Sequence, residues 1–157
     1  MITIEYSGSG AGRRIAVVVA KFNAFVTDRL QNGALAALAA AGVDAGDVTI
    51  VRVPGSFEIP LAAQHAAETG RFDAVVCLGC LIRGETSHFE YISSAVAQGL
   101  ASAAAATGVP MAFGVLTTNS AEEALARAGE GPGNKGHEAA LAALEMSDIV
   151  AGLARRP

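Results

Sequence analysis

The sequence predicts an α/β protein, a three-layer α/β/α sandwich built on a four-stranded parallel sheet. Three observations predict it. Two strand-length segments, residues 14–20 and 72–81, are almost wholly apolar, as strands buried on both faces must be. Strand-sized and helical patterns alternate along the whole chain. The connections between successive strands are too long for hairpins and so require crossovers between parallel neighbours.

Each element follows in order. The strand over 14–20 leads to a helix over 26–41, with Val26, Leu30, Ala34, Leu38 and Ala41 on one face and Gly42 as its stop. The second strand, 48–53, ends at Pro54-Gly55. The next helix covers 56–69, closed by Gly70, and carries Pro60 in its first turn, where a missing N–H is harmless. The third strand, 72–81, passes through an Arg83-Gly84 turn into a long helix from Ser87 to about Ala106. Ser87 and Glu90 have the spacing of a capping box. A fourth strand over 111–116 precedes a second capping box, Ser120 with Glu123, that opens a short helix to about Ala128. After a glycine-rich turn, a last helix covers 136–153, and its stripe Ala139, Ala143, Met146, Val150 and Leu153 reads as core. The whole chain, 1–157, reads as one domain, with residues 1–12 as an extended lead-in. Within it, residues 2–6 alternate apolar with polar, a pattern suited to a strand added to a neighbouring subunit's sheet.

Hydrophobic content of 52% against 17% charged residues is high for a small monomer and points to surface hidden in a homo-oligomer. A net charge of -4, with no basic stretch interleaved with aromatics, argues against nucleic acid as a partner. No apolar run approaches the roughly 20 residues of a membrane span. The first residues lack the charge and apolar pattern of a targeting segment, so the cytoplasm is the expected location. Cys77 and Cys80 are spaced C-x-x-C, but residues three apart on a strand face opposite ways. No second Cys or His pair completes a tetrahedral site, so neither a metal nor thiol redox chemistry is expected.

In a parallel sheet, ligands bind beyond the carboxyl ends of the strands. There the sequence places Phe22 and Asn23, then Ser56, Phe57 and Glu58, then Cys80 through His88, and finally Phe113 and Gly114 with Thr117 and Thr118. His88 stands beside the free N–H groups at a helix start, a natural seat for an anion. Aromatic rings, a carboxylate, an anion seat and a histidine together suit a planar polar heterocycle plus a phosphate. Each residue also has a plainer reading. Phe22 and Phe57 fit hydrophobic staples, Thr86 and Ser87 fit caps, and Arg127 and Lys135 fit solvated charges. His65 and His137 read as structural. The glycines at 8–12 precede a strand, and 129–136 lacks P-loop spacing, so neither forms a nucleotide fingerprint.

Five segments carry a more specific signal: Lys21-Phe-Asn-Ala-Phe-Val26, Val53-Pro-Gly-Ser-Phe-Glu-Ile-Pro60, Gly79-Cys-Leu-Ile-Arg-Gly-Glu-Thr-Ser-His-Phe-Glu-Tyr91, Phe113-Gly-Val-Leu-Thr-Thr118, and Arg127-Ala-Gly129 through Gly133-Asn-Lys-Gly136. In this order and spacing they closely resemble the 6,7-dimethyl-8-ribityllumazine synthase family over residues 15–153. The resemblance implies a flavodoxin-like sandwich and a transferase of riboflavin biosynthesis. That enzyme condenses 5-amino-6-(D-ribitylamino)uracil with 3,4-dihydroxy-2-butanone 4-phosphate, releasing phosphate and water, without metal or redox cofactor.

By position, the resemblance implies proton transfer by His88 and stacking of Phe22 on the pyrimidine. Asn23, Ser56, Phe57, Cys80, Leu81 and Ile82 would hold that substrate's polar edge and ribityl chain, with Glu58 accepting from ribityl hydroxyls. Glu85, Thr86 and Arg127 would surround the phosphate, with Lys135 nearby. Glu85 brings an anion there, so its backbone N–H is the useful group. Phe113 with Gly114, and Arg127, would reach the site from a neighbouring subunit. The implied assembly is a homo-oligomer of pentamers, and the short 127–136 connection goes with a sixty-subunit shell; riboflavin synthase is a further candidate partner. The alternatives are a non-catalytic shell-forming paralogue and a flavin-binding one.

Overall fold

In the computed structural model, which describes residues 1–155, strands β1 (Ile15–Ala20), β2 (Val48–Val53), β3 (Ala74–Ile82) and β4 (Met111–Thr118) form one parallel sheet in the order β2-β1-β3-β4. Helices α1 (Ala24–Ala40) and α5 (Lys135–Ala154) cover one face; α2 (Ile59–Glu68) and α3 (His88–Thr107) cover the other. A short α4 (Ala121–Ala126) follows β4. No helix among the described residues is long and apolar enough to cross a membrane.

The two apolar strands are apolar because both their faces are core. In β1, Ile15, Val17 and Val19 pack toward α1 and α5, while Ala16, Val18 and Ala20 pack toward α2 and α3. The same alternation runs along β3, so Cys77 and Cys80 fall into opposite cores as free thiols. Burial pushes their pKa values up, to about 12 for Cys77 and about 11 for Cys80, which suppresses the reactive thiolate.

The strand order also locates the switch point. From β1 the chain crosses outward to β2 over one face, then returns past β1 to β3 and β4 over the other. The crevice between the carboxyl ends of β1 and β3 is therefore where the connections part, the usual ligand position in an open parallel sheet.

On the α1–α5 face, packing depends on glycine and one buried amide. A Cβ at Gly136 would lie 1.9 Å from the Leu30 carbonyl oxygen, and one at Gly33 would lie 2.2 Å from Asn134 Oδ1. Asn134 is 2% exposed. Its Nδ2 donates to the carbonyls of Arg29 (3.1 Å) and Gly129 (2.8 Å), and its Oδ1 accepts from the N–H groups of Gly136 (2.8 Å) and His137 (3.2 Å). One side chain thus caps α5, pins the glycine-rich loop and ties both to α1.

Two expectations need correction. The Ser87–Glu90 capping box does not form: Ser87 makes no side-chain cap bond, and Glu90 pairs instead with Arg83. In α5 the buried face is Gly136, Ala139, Ala140, Ala143, Leu144 and Ser147, whereas Met146, Val150 and Leu153 are exposed. Most of that face is small because α5 lies close to α1 at Gly136, and Leu144 is its one large buried side chain. Residues 1–7 form no strand in this chain. They lie along α5, with Ile4 against Gly152 and Asp148 accepting from the Ser7 N–H (3.0 Å) and hydroxyl (2.6 Å). The Ser120 cap does form, with the Glu123 N–H donating to Ser120 Oγ at 3.1 Å and Glu123 accepting from the Asn119 N–H at 2.9 Å.

Asp148 also binds Arg13 at 2.6 Å. Burial alone would raise its pKa, but the Ser7 hydroxyl and N–H, with Arg13, outweigh that and hold the carboxyl below its ordinary range. A depressed carboxyl pKa stabilises the native arrangement above the unfolded value of about 4, and that contribution disappears as pH falls below it. Limited proteolysis should cut the N-terminal segment faster in Asp148→Asn at neutral pH, and in the parent protein only on acidification. The substitution Gly136→Ala should cost about 3 kcal/mol or prevent folding, read from denaturant unfolding or soluble yield.

Candidate active site

Three strand ends meet at the switch point. The ladder continues past them: the Lys21 N–H donates to the Val53 carbonyl (2.8 Å) and the Phe22 N–H to that of Pro54 (3.1 Å). These bonds bring the turn after β1 against the turn after β2. Asn23 then takes φ 61° and ψ 43°, among the described residues the one non-glycine residue at positive φ. Asparagine tolerates this left-handed conformation better than most residues. Its side chain makes no helix cap bond; Nδ2 instead donates to the Cys80 carbonyl at 2.9 Å, crossing from the end of β1 to the end of β3.

The result is a cleft of about 470 Å³ lined by Phe22, Asn23, Gly55, Ser56, Phe57, Glu58, Leu81, Ile82, Gly84, Thr86, His88, Phe89 and Ile92. Phe22 is 69% and Phe57 62% exposed, so neither acts as a buried staple. Ser56 is buried beneath them, and Gly79 must be glycine there because a Cβ would lie 2.5 Å from Ser56 Oγ. Glu58 folds back over the turn, its Oε2 within 3.2 Å of where a Gly55 Cβ would stand. His88 is the first residue of α3, and its N–H points at Thr86 Oγ1 at 3.4 Å, a weak bond that leaves the helix start open.

Nine of the expected residues meet here: Phe22, Asn23, Ser56, Phe57, Glu58, Leu81, Ile82, Thr86 and His88. Cys80 does not line the cleft; its carbonyl accepts from Asn23. Glu85 is exposed and does not line it. Phe89 and Ile92 were not expected in the site, although their positions in the first turns of the helix after β3 were a sufficient signal.

Phe113, Gly114, Arg127 and Lys135 lie elsewhere. They line a second cleft of about 390 Å³ along β4, with Val115, Leu116, Thr117, Thr118, Glu138, Ala139 and Ala142. The Lys135 N–H donates to the Arg127 carbonyl at 2.8 Å, which holds the two cationic residues together. Arg127 Nη1 donates to the Glu123 carbonyl at 2.9 Å and Lys135 Nζ pairs with Glu138 at 2.8 Å. Among the described residues neither of these two clefts contains both the imidazole and the guanidinium. No cluster of three or more His, Cys, Asp or Glu that could hold a metal occurs among them either.

The sequence pattern of the 6,7-dimethyl-8-ribityllumazine synthase family matches residues 12–151. The chain belongs to that family. A 6,7-dimethyl-8-ribityllumazine synthase from Syntrophus aciditrophicus (strain SB) is 50% identical over 139 residues, which cover 88% of this chain and 90% of that protein. The matched span contains both clefts and every residue named in them.

Asn23→Ala should destabilise the protein by about 1–3 kcal/mol, since alanine fits the left-handed backbone poorly and the bond to Cys80 is lost. Asn23→Gly should recover the backbone part only. Denaturant midpoints of the three proteins separate the two contributions.

Proposed function

We propose that this chain is a 6,7-dimethyl-8-ribityllumazine synthase, condensing 5-amino-6-(D-ribitylamino)uracil with 3,4-dihydroxy-2-butanone 4-phosphate. The observation that carries this reading is the gathering of Phe22, Glu58, Thr86 and His88 in one cleft at the switch point, while Arg127 and Lys135 stand in another. Phe22 stacks on the pyrimidine, Glu58 accepts from ribityl hydroxyls, and Asn23, Ser56, Phe57, Leu81 and Ile82 hold the ring edge with the Cys80 backbone. Thr86 and the open start of α3 receive the phosphate. The N–H of Glu85 joins them, its carboxylate turned to solvent.

The division into two clefts supports a site completed between protomers. Arg127, with Lys135 beside it, and the Phe113-Gly114 edge reach the His88 cleft of a neighbour. Guanidinium suits this task because its planar fork meets phosphate oxygens in two parallel bonds. The amine of the pyrimidine attacks the ketone and water leaves to form an imine. Phosphate is then eliminated, and the ribityl-bearing nitrogen closes the ring on the remaining carbonyl with loss of a second water. Holding both reactants side by side removes much of the entropic barrier, and His88 moves protons between nitrogen and carbon centres. Pentamers, built up into a sixty-subunit shell, are the assembly we assign. The extended residues 1–6, loosely seated on α5, are free to add to a neighbour's sheet, the cytoplasm is the assigned location, and riboflavin synthase is the candidate partner that would consume the product.

Purified protein given both substrates should release phosphate while lumazine fluorescence rises; silence in both signals would sink the assignment. His88→Ala should lower kcat by about 10²-fold with residual turnover and retained pyrimidine binding. Arg127→Ala should raise KM for the phosphate-bearing ketone about tenfold or more. Co-assembled in equal amounts from unfolded chains, those two variants should recover activity, because about a quarter of randomly formed inter-protomer sites would then be intact. Recovery no greater than the sum of the separate variants would place each site within one protomer.

A further inference from the structure

The turn that carries Thr86 and His88 has little of its own to hold it. Residues 83–88 are all exposed, Ser87 supplies no side-chain cap, and the Thr86 contact to the His88 N–H is long at 3.4 Å. A segment with so few anchors would normally sample many conformations and lose that freedom on binding an anion. Arg83 lines neither cleft, yet it grips the turn from both ends. Its backbone N–H donates to the Thr118 carbonyl at 2.8 Å, fixing the start of the turn to the end of β4. Its Nε donates to Asn119 Oδ1 at 3.0 Å, and its Nη1 donates to the Glu90 carboxylate in the first turn of α3. The guanidinium also lies over the Phe89 ring, 4.7 Å from its centre.

We propose that Arg83 is a positioning residue, clamping residues 84–88 in the conformation that presents the Thr86 hydroxyl and the His88 imidazole to the substrates. This rests on the reading of the first cleft as the lumazine synthase site. The geometry favours Arg over Lys: three directions are used at once, two by the planar fork and one by its face, and an ammonium can satisfy only part of that set. Glu90 is held below the ordinary carboxylate range by its own backbone N–H and then by Arg83, so it stays ionised as the far jaw of the clamp. The clamp extends further. Asn119 donates its N–H to Glu123, whose carbonyl accepts from Arg127, so the same guanidinium also steadies the helix that presents the second cleft's cation. Exposed ion pairs contribute little to global stability, so the consequence is local order.

The test uses assembled wild-type protein and the variants Arg83→Ala, Arg83→Lys and Glu90→Gln. Amide hydrogen exchange across residues 84–88 should accelerate about fivefold or more in Arg83→Ala while β1 is unchanged. KM for the phosphate-bearing ketone should rise about tenfold, with KM for the pyrimidine within about twofold of wild type. Arg83→Lys should reproduce that defect, and Glu90→Gln should show a weaker form of it in a chain of unchanged volume. Unchanged exchange, equal rises in both KM values, or wild-type kinetics in Arg83→Lys would each overturn the proposal, the last by reducing Arg83 to its charge. If wild-type protein makes no lumazine while exchange responds as described, the clamp stands and the active-site reading falls.

Discussion

Strands buried on both faces cannot leave a backbone group unpaired, and that constraint sets the geometry of everything else in this molecule. β1 is fully buried and pairs with β2 on one side and β3 on the other, from Ile15↔Val48 to Ala20↔Val53 and from Ile15↔Ala74 to Val19↔Leu78. A slip of one residue would exchange the two core faces along the whole strand, so the register is not adjustable. Once it is set, the strand ends are level, and the ladder runs on through Lys21, Phe22 and Arg83 into the turns. The side chains that make up the first cleft arrive from three turns. Asn23 alone reaches across, and its left-handed backbone is sustained by the strands on either side.

Much of this was legible before any coordinates because hydrophobic pattern reports burial on two faces directly. The apolar runs of β1 and β3 and the α1 stripe from Val26 to Leu38 have no other sensible reading, and from them a parallel sheet with its ligand beyond the carboxyl ends follows by topology. Reading failed where several patterns fit one string. Ser87 and Glu90 have capping-box spacing, but Glu90 has a guanidinium within reach, and a charge-assisted bond displaces the neutral one. In α5, hydrophobicity pointed to Met146, Val150 and Leu153, whereas the face that packs inward is mostly small residues with Leu144. Asn134 was out of reach altogether: its partner Arg29 is 105 residues away, and nothing local marks an amide as the hub of a core.

The two clefts differ in how they are held. The first sits on strand ends and inherits the rigidity of the sheet. The second depends on a loop, and the loop depends on Asn134, which fills all four of its amide's bonding directions with backbone groups of α1, α5 and the glycine turn. Through the Lys135–Arg127 backbone bond that order passes to both cations. Under the proposed assembly, cations delivered across a subunit boundary would have to be fixed in their own frame first, because any looseness is doubled when two protomers meet.

The charges themselves are stored in a form that is cheap to release. Arg127 spends one donor of its guanidinium on the Glu123 carbonyl, a neutral acceptor at the end of a short helix, which leaves most of the fork free for an oxyanion. Lys135 rests on Glu138 in a pair that is about half exposed, and such a pair is worth at most about 1 kcal/mol, so it costs little to break. Neither cation is locked into a buried pair whose rupture would oppose binding. The His88 side follows the same logic in reverse: the helix start is left without a side-chain cap, so its N–H groups keep their affinity for a negative ligand. In the proposed assembly, donors that are half-satisfied on both sides of the boundary would become fully satisfied when protomers and anion come together.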